Sequence, residues 1–293
     1  MSDAPAIHYA LLVGQRAWAE ACEIDVDDAG RVLRWHDNLL APPSSGTLVD
    51  LETAGAGAAG QAGKPGRLHE LGSGLVLAAN VLDPWRDRPD ALARQAPVLG
   101  GSAGSLRFAT HLELGSSQTA LHRSVDVLLE SRSGPATAVI PLFCEPFGDV
   151  DPRPHDALVR DAALWNGLHG CALLARDLQA NPRRFRRLAA GRVLETALGM
   201  SRRFGHHGFR IVVLWYDAGG RATRRLRHEI DRLRMRIGGE VELLATSWQS
   251  LFRRLCGPGS ASPADGRYTR SLQARYFGRG AAARRPASSE DGA

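Results

Sequence analysis

Apolar residues recur at helical spacing between Leu11 and Cys22, which predicts an amphipathic helix there. The prolines closing "RVLRWHDNLLAPP" stop any helix continuing into them. Residues 52–66, "ETAGAGAAGQAGKPG", are small and glycine-rich and predict a flexible linker. "LVLAANVLDPW" at 75–85 starts after "GSG" and ends at a proline, so a short buried helix is expected. From Leu106 the pattern changes to strands, "LRFATHLEL", "VDVLLE" and "TAVIPLF", separated by glycine and serine turns. Together they predict an antiparallel three-strand meander.

Helical patterns follow around 156–175 and 186–203, and the second leads through "GHHG" into "FRIVVLWY" at 209–216. That run is apolar on both faces, as a central strand requires. Leu226, Ile230, Leu233 and Ile237 then recur at helical spacing within 221–237, "EVELLATS" at 240–247 forms a last strand, and a helix runs from Trp248 to Leu255. A strand, helix, strand series of this kind is a crossover with parallel pairing. The expected fold class is α/β, a mixed sheet sandwiched by helices, with the meander followed by a βαβ extension. The organisation expected is an N-terminal extension with its Gly/Ala-rich linker over 1–67, one domain over 68–277, and a disordered tail over 278–293.

Composition changes this picture little. At 44% hydrophobic residues the chain has ample material for a core. "IHYALLVG" near the N-terminus is too short and too poorly flanked for a signal peptide or a membrane span, so a cytoplasmic protein with no membrane partner is expected. Cys22, Cys144, Cys171 and Cys256 are scattered without a C-x-x-C pair, which predicts buried apolar cysteines rather than a zinc site or disulfides. The net charge of +6 suits a polyanionic partner, DNA or RNA. Its carriers are almost all arginine, with Lys64 the one lysine, and this usage alongside Ala, Gly and Pro also fits a GC-rich genome.

Three segments carry more specific content: "LGSGLVLAANVLDPWRDRP" at 71–89, "SVDVLL" at 124–129 and "CEPFGD" at 144–149. In order and spacing they resemble a bacterial restriction-endonuclease-like family of the PD-(D/E)XK nuclease superfamily, over roughly residues 60–277. Ser73, Asn80 and Trp85 match that family's serine turn, asparagine and aromatic, and Arg275, Tyr276 and Phe277 its terminal R-Y-[FL]. The resemblance implies a restriction-endonuclease-like core with a metal-binding aspartate at Asp126. It also implies a strand of the form I-E-x-K-[FY]-T-E-P.

Such a site works by holding a divalent cation between carboxylates on neighbouring strands, with a lysine two residues along on the same face. Here the family's Glu and Lys positions fall on Ile140 and Leu142, an upstream glutamate position falls on Ala109, and Pro141 between them predicts an edge strand or a bulge. The hairpin therefore reads as emptied. The expected protein is non-catalytic or weakly catalytic, binds nucleic acid or a protein partner, and needs no cofactor, with Mg²⁺ required only if the site is active. Asp126→Asn is expected to leave stability unchanged or slightly improved. Two alternatives stay open. One is an active Mg²⁺-dependent nuclease using Asp126 with relocated acids Glu113 and Glu145, and the other is an interaction protein without a nucleic-acid role.

Outside the hairpin, "NPRRFRR" at 181–187 groups Arg183, Arg184, Arg186 and Arg187 around Phe185, the composition of a phosphate-contacting patch. In "RATRRLRHEIDRLRMR" the arginines interleave with Glu229 and Asp231 and read as a solvated helix face. Adjacent His206 and His207 point apart and read as a solvent loop, and "YDAGGR" lacks the spacing of a phosphate-binding loop.

Overall fold

A computed structural model describes residues 3–54, 66–115, 121–257 and 263–278. The linker core at 55–65 and all of the tail except Gly278 lie outside the described residues. The described chain runs α1 (Ala4–Ala21), α2 (Ser45–Thr53), α3 (Gly74–Leu82), α4 (Pro89–Gln95), β1 (Ala103–Glu113), β2 (His122–Ser131) and β3 (Ala136–Leu142). It continues with α5 (Asp156–Arg160), α6 (His169–Ala180), α7 (Ala190–Phe204), β4 (Phe209–Trp215), α8 (Gly220–Ile237), β5 (Glu242–Ser247), α9 (Trp248–Cys256) and α10 (Gly266–Leu272), and a π-turn covers Gln273–Phe277.

The five strands form one mixed sheet in chain order, β1-β2-β3-β4-β5. The meander pairs are antiparallel and the β3–β4 and β4–β5 pairs parallel. The long α5–α7 connection and then α8 supply the crossovers that parallel neighbours need. Strand alternation divides the core in two. Val127, Leu129, Val139, Val212 and Leu214 pack with α3, α4 and α9, whereas Leu128, Ala138, Ile140, Ile211 and Val213 pack with α6, α7 and α8. No helix among the described residues is long and apolar enough to cross a membrane.

Pro141 departs from the expected edge or bulge, because β3 lies between β2 and β4 and Pro141 pairs with Leu214. Backbone direction explains the tolerance. Ala136 N–H donates to Gly208 and the Leu142 carbonyl accepts from Tyr216, so even-numbered residues of β3 face β4 and Pro141 faces β2. The β2–β3 ladder has by then ended at Val127 and Val139, and the missing N–H costs no ladder bond.

Residues before the linker join the same core: Ala4, Leu11 and Leu51 belong to the α3-side cluster. Buried Arg275 fastens them. Its Nε donates to Gln15 Oε1 at 2.8 Å, its Nη1 to the Asn38 carbonyl at 2.7 Å, and its guanidinium lies over the Trp18 ring at 3.5 Å. Asn80 Nδ2 donates to the Tyr276 hydroxyl at 3.0 Å, and Asn80 Oδ1 accepts from Leu40 N–H at 2.8 Å. Asn80, Arg275 and Tyr276 are thus ties between chain ends and core. Of the cysteines, Cys144 and Cys171 are buried as expected, but Cys22 is exposed, beyond the last turn of α1.

Candidate functional site

Asp126 sits midway along β2 with its carboxylate buried. Adjacent register pairs place it across from Ala109 on one side and Ile140 on the other, one row over three strands. Ala109 adopts φ +46, in the left-handed region, and drops out of the ladder beside Asp126. An alanine there carries strain on the order of 1 kcal/mol. Leu142 lies on the Ile140 side of β3 and packs with the α7 core.

The carboxylate is enclosed by guanidiniums. Arg67, in the turn after the linker, donates from Nη1 to Asp126 Oδ1 at 2.5 Å, and Arg192, in the first turn of α7, donates to Oδ2. Burial, and then the positive charges of Arg67 and Arg123, hold the Arg192 guanidinium well below its usual pKa, while Glu195 opposes them. Arg123 pairs with Glu195 at 3.0 Å, and Glu195 accepts from His155 N–H at 2.9 Å. Asp126 is therefore the counter-ion of a buried cation. This reverses the expectation for Asp126→Asn, because an amide would leave Arg192 buried without the carboxylate that it bonds.

The relocated acids stand elsewhere. Glu145 opens a short turn after β3; its Oε1 accepts from Gly74 N–H at 2.7 Å and its Oε2 from Phe143 N–H at 2.6 Å. It caps α3, and Arg67 Nη2 lies 3.6 Å from it, so one guanidinium stands between Asp126 and Glu145. Glu113 is exposed at the far end of β1, paired with His122. Four residues of strand separate that pair from Asp126, about 13 Å. Asp126 and Glu145 are brought together through Arg67, and Glu113 is not brought to them.

Mg²⁺ does not fit this donor set. It needs converging oxygens with free lone pairs, and here two guanidiniums hold the one sheet carboxylate while backbone amides hold Glu145. Among the described residues no group of three or more His, Cys, Asp or Glu is placed to hold a metal. His206 Nδ1 instead shares a hydrogen bond with Ser201 Oγ at 2.8 Å.

Beside this cluster, at the carboxyl end of β3, a cleft of about 540 Å³ is lined by Leu142, Cys144, Glu145, Arg187, Arg192 and His8 among others. Burial pushes the Cys144 thiol well above its usual pKa, and Glu145 adds to it, so Cys144 offers no thiolate nucleophile.

The 181–187 run divides. Arg183, Arg184 and Arg186 are exposed, but Arg187 turns toward the cleft and donates from Nη1 to the Pro146 carbonyl at 3.2 Å. Phe185 is 1% exposed and belongs to the core, so it offers no stacking surface. Glu229 of α8, also buried, orders the run: its carboxylate accepts from the backbone N–H groups of Arg186, Arg187 and Leu188 at 2.7–3.0 Å. The interleaved acid in α8 is thus a backbone anchor rather than a partner in a solvated face. An acid at helical spacing with Leu226 and Leu233 was the available signal.

Comparison with protein-family models, with curated proteins and with solved structures gives no match.

Proposed function

We propose that this chain is a restriction-endonuclease-like protein that binds nucleic acid without cutting it. The observation that carries the proposal is Asp126 held between Arg67 and Arg192, in a row whose other members are Ala109 and Ile140. A nuclease needs that carboxylate free for a cation, and here it neutralises a buried guanidinium instead. The exposed guanidiniums of Arg183, Arg184 and Arg186 support the binding half, since arginine presents paired donors to phosphate oxygens.

The test is plasmid nicking in Mg²⁺ and in Mn²⁺, run beside a gel shift of the same DNA at low salt. Binding without metal-dependent nicking is expected. Robust cutting by the parent that disappears in Asp126→Asn, with the variant still folded, overturns the proposal in favour of the relocated-acid nuclease. Absence of any shift at low salt removes the nucleic-acid role.

A further inference from the structure

The arginine run and α8, separate in sequence, form one surface. Arg232 Nη1 donates to the Arg184 carbonyl at 3.0 Å, Arg184 and Arg236 both pair with Asp177 of α6, and Arg225 pairs with Glu229 at 3.2 Å. Glu229 in turn holds the backbone of Arg186 and Arg187. Arg184, Arg225 and Arg236 remain 45%, 51% and 51% exposed, and Arg183, Arg186 and Arg232 are exposed as well. Six guanidiniums therefore share one ridge with two carboxylates, Asp177 and Glu229. The neighbouring Asp231 pairs with Arg234 at 3.2 Å.

We propose that Arg183, Arg184, Arg186, Arg225, Arg232 and Arg236 form a single surface for the phosphate backbone of double-stranded nucleic acid. This rests on the binding half of the function proposed above and assigns it a place and a class of ligand. Three features select the duplex. Phe185, the aromatic residue within the run, is buried and offers bases no platform, so the run lacks the stacking that single strands depend on. The apolar stripe of α8, Leu226, Ile230, Leu233 and Ile237, lies in the core, so the helix has no apolar face to insert among lipids. From Arg225 to Arg236 the helix advances about 16 Å, roughly five base-pair steps of a duplex.

The anchoring by Glu229 serves this surface. Taking the amides of 186–188 inward directs the run's backbone to α8 and leaves three of its arginine side chains outside. Contacts of this kind carry no sequence information, so the surface binds duplexes of different sequence alike.

The test measures binding of a labelled duplex, the corresponding single strand and anionic vesicles across a salt series. The proteins are the parent, Arg183→Ala/Arg184→Ala/Arg186→Ala, Arg225→Ala/Arg232→Ala/Arg236→Ala, and the control Arg88→Ala/Arg94→Ala/Arg132→Ala, whose exposed residues lie near α4 and the β2–β3 turn. Each ridge triple is expected to weaken duplex binding roughly tenfold or more near 0.1 M salt. Each should also flatten the log–log salt slope by about two to three, while the control changes little. The lysine version of the α8 triple keeps the charge and is expected to keep the slope, which separates loss of phosphate contacts from loss of fold.

If the α8 triple binds like the parent while the first triple fails, the shared surface is wrong and the proposed function stands. A parent that prefers the single strand has the same consequence. A parent that binds vesicles but no nucleic acid overturns both.

Discussion

Asp126 and Glu229 are both buried acids beside arginines, yet they have opposite effects. Asp126 gives its two oxygens to the guanidiniums of Arg67 and Arg192, closing a cluster on itself. Glu229 gives its oxygens mainly to three backbone N–H groups and to one guanidinium, Arg225, which stays half exposed. The first arrangement locks a sheet to a helix and takes both oxygens of the acid; the second orders a loop and leaves its arginines facing solvent. What a buried carboxylate bonds to decides whether nearby arginines are structure or surface.

The comparison breaks most sharply at Asp126. Removing it as Asp126→Ala leaves Arg192 buried without its counter-ion, an expected loss of about 3–5 kcal/mol in chemical denaturation. Asp126→Asn is expected to lose nearly as much. The double change Asp126→Leu/Arg192→Met, which removes both charges, should recover most of the loss, because an apolar replacement of a buried pair is often neutral. A stable Asp126→Asn would mean that Asp126 is not the counter-ion the geometry describes.

Glu229→Ala comes next. It strips the acceptor from three amides held inside the fold, with an expected cost of about 2–3 kcal/mol. Its distinguishing readout is hydrogen exchange: protection at 186–188 should fall well before that of the sheet. If protection there is unchanged, the carboxylate does not order the run. Arg67→Ala is milder. Arg67 is 38% exposed, and Arg192 still neutralises Asp126, so a loss of about 1 kcal/mol in the same denaturation assay is expected.

These effects also show what was legible in the sequence. The meander and the α8 crossover followed from periodicity and turn residues, and the central strand from a run apolar on both faces, because such patterns register local burial. Ala109, Asp126 and Ile140 were singled out by the resemblance, whereas the row they form comes from the strand register. The partners of Asp126 were not. Arg67 lies 59 residues before it and Arg192 66 after it, and nothing in local spacing links an isolated acid to arginines at such separations. Glu229 was misread for the same reason: its ligands are amides of another segment, and an amide has no residue type to recognise. Pro141 was misread because its effect depends on which neighbour its nitrogen faces.

The smallest expected effect sharpens the comparison at the other end of α8. Asp3 accepts from Arg221 N–H at 2.7 Å and from Ala222 N–H at 2.8 Å, so a residue ahead of α1 caps the helix that carries the ridge. Slight burial pushes the Asp3 pKa up, but the two backbone N–H groups outweigh it and hold the carboxyl below its usual 3.8. A group depressed in the folded state stabilises fully above its unfolded pKa and loses that contribution as pH falls through the folded value. Asp3→Asn should therefore cost at most about 1 kcal/mol at pH 7, the scale of a capping and helix-dipole interaction. Parent and variant should converge in urea denaturation as the pH falls through that depressed folded value, where the parent's carboxyl takes up its own proton. Duplex binding at pH 7 should be unchanged, because Asp3 orders the start of α8 and not the segment from Arg225 to Arg236. A stability gap that stays equally large from pH 7 down through the acid range would show that shape, and not charge, makes Asp3 a cap, which would leave Glu229 as the anchor of this helix whose charge matters.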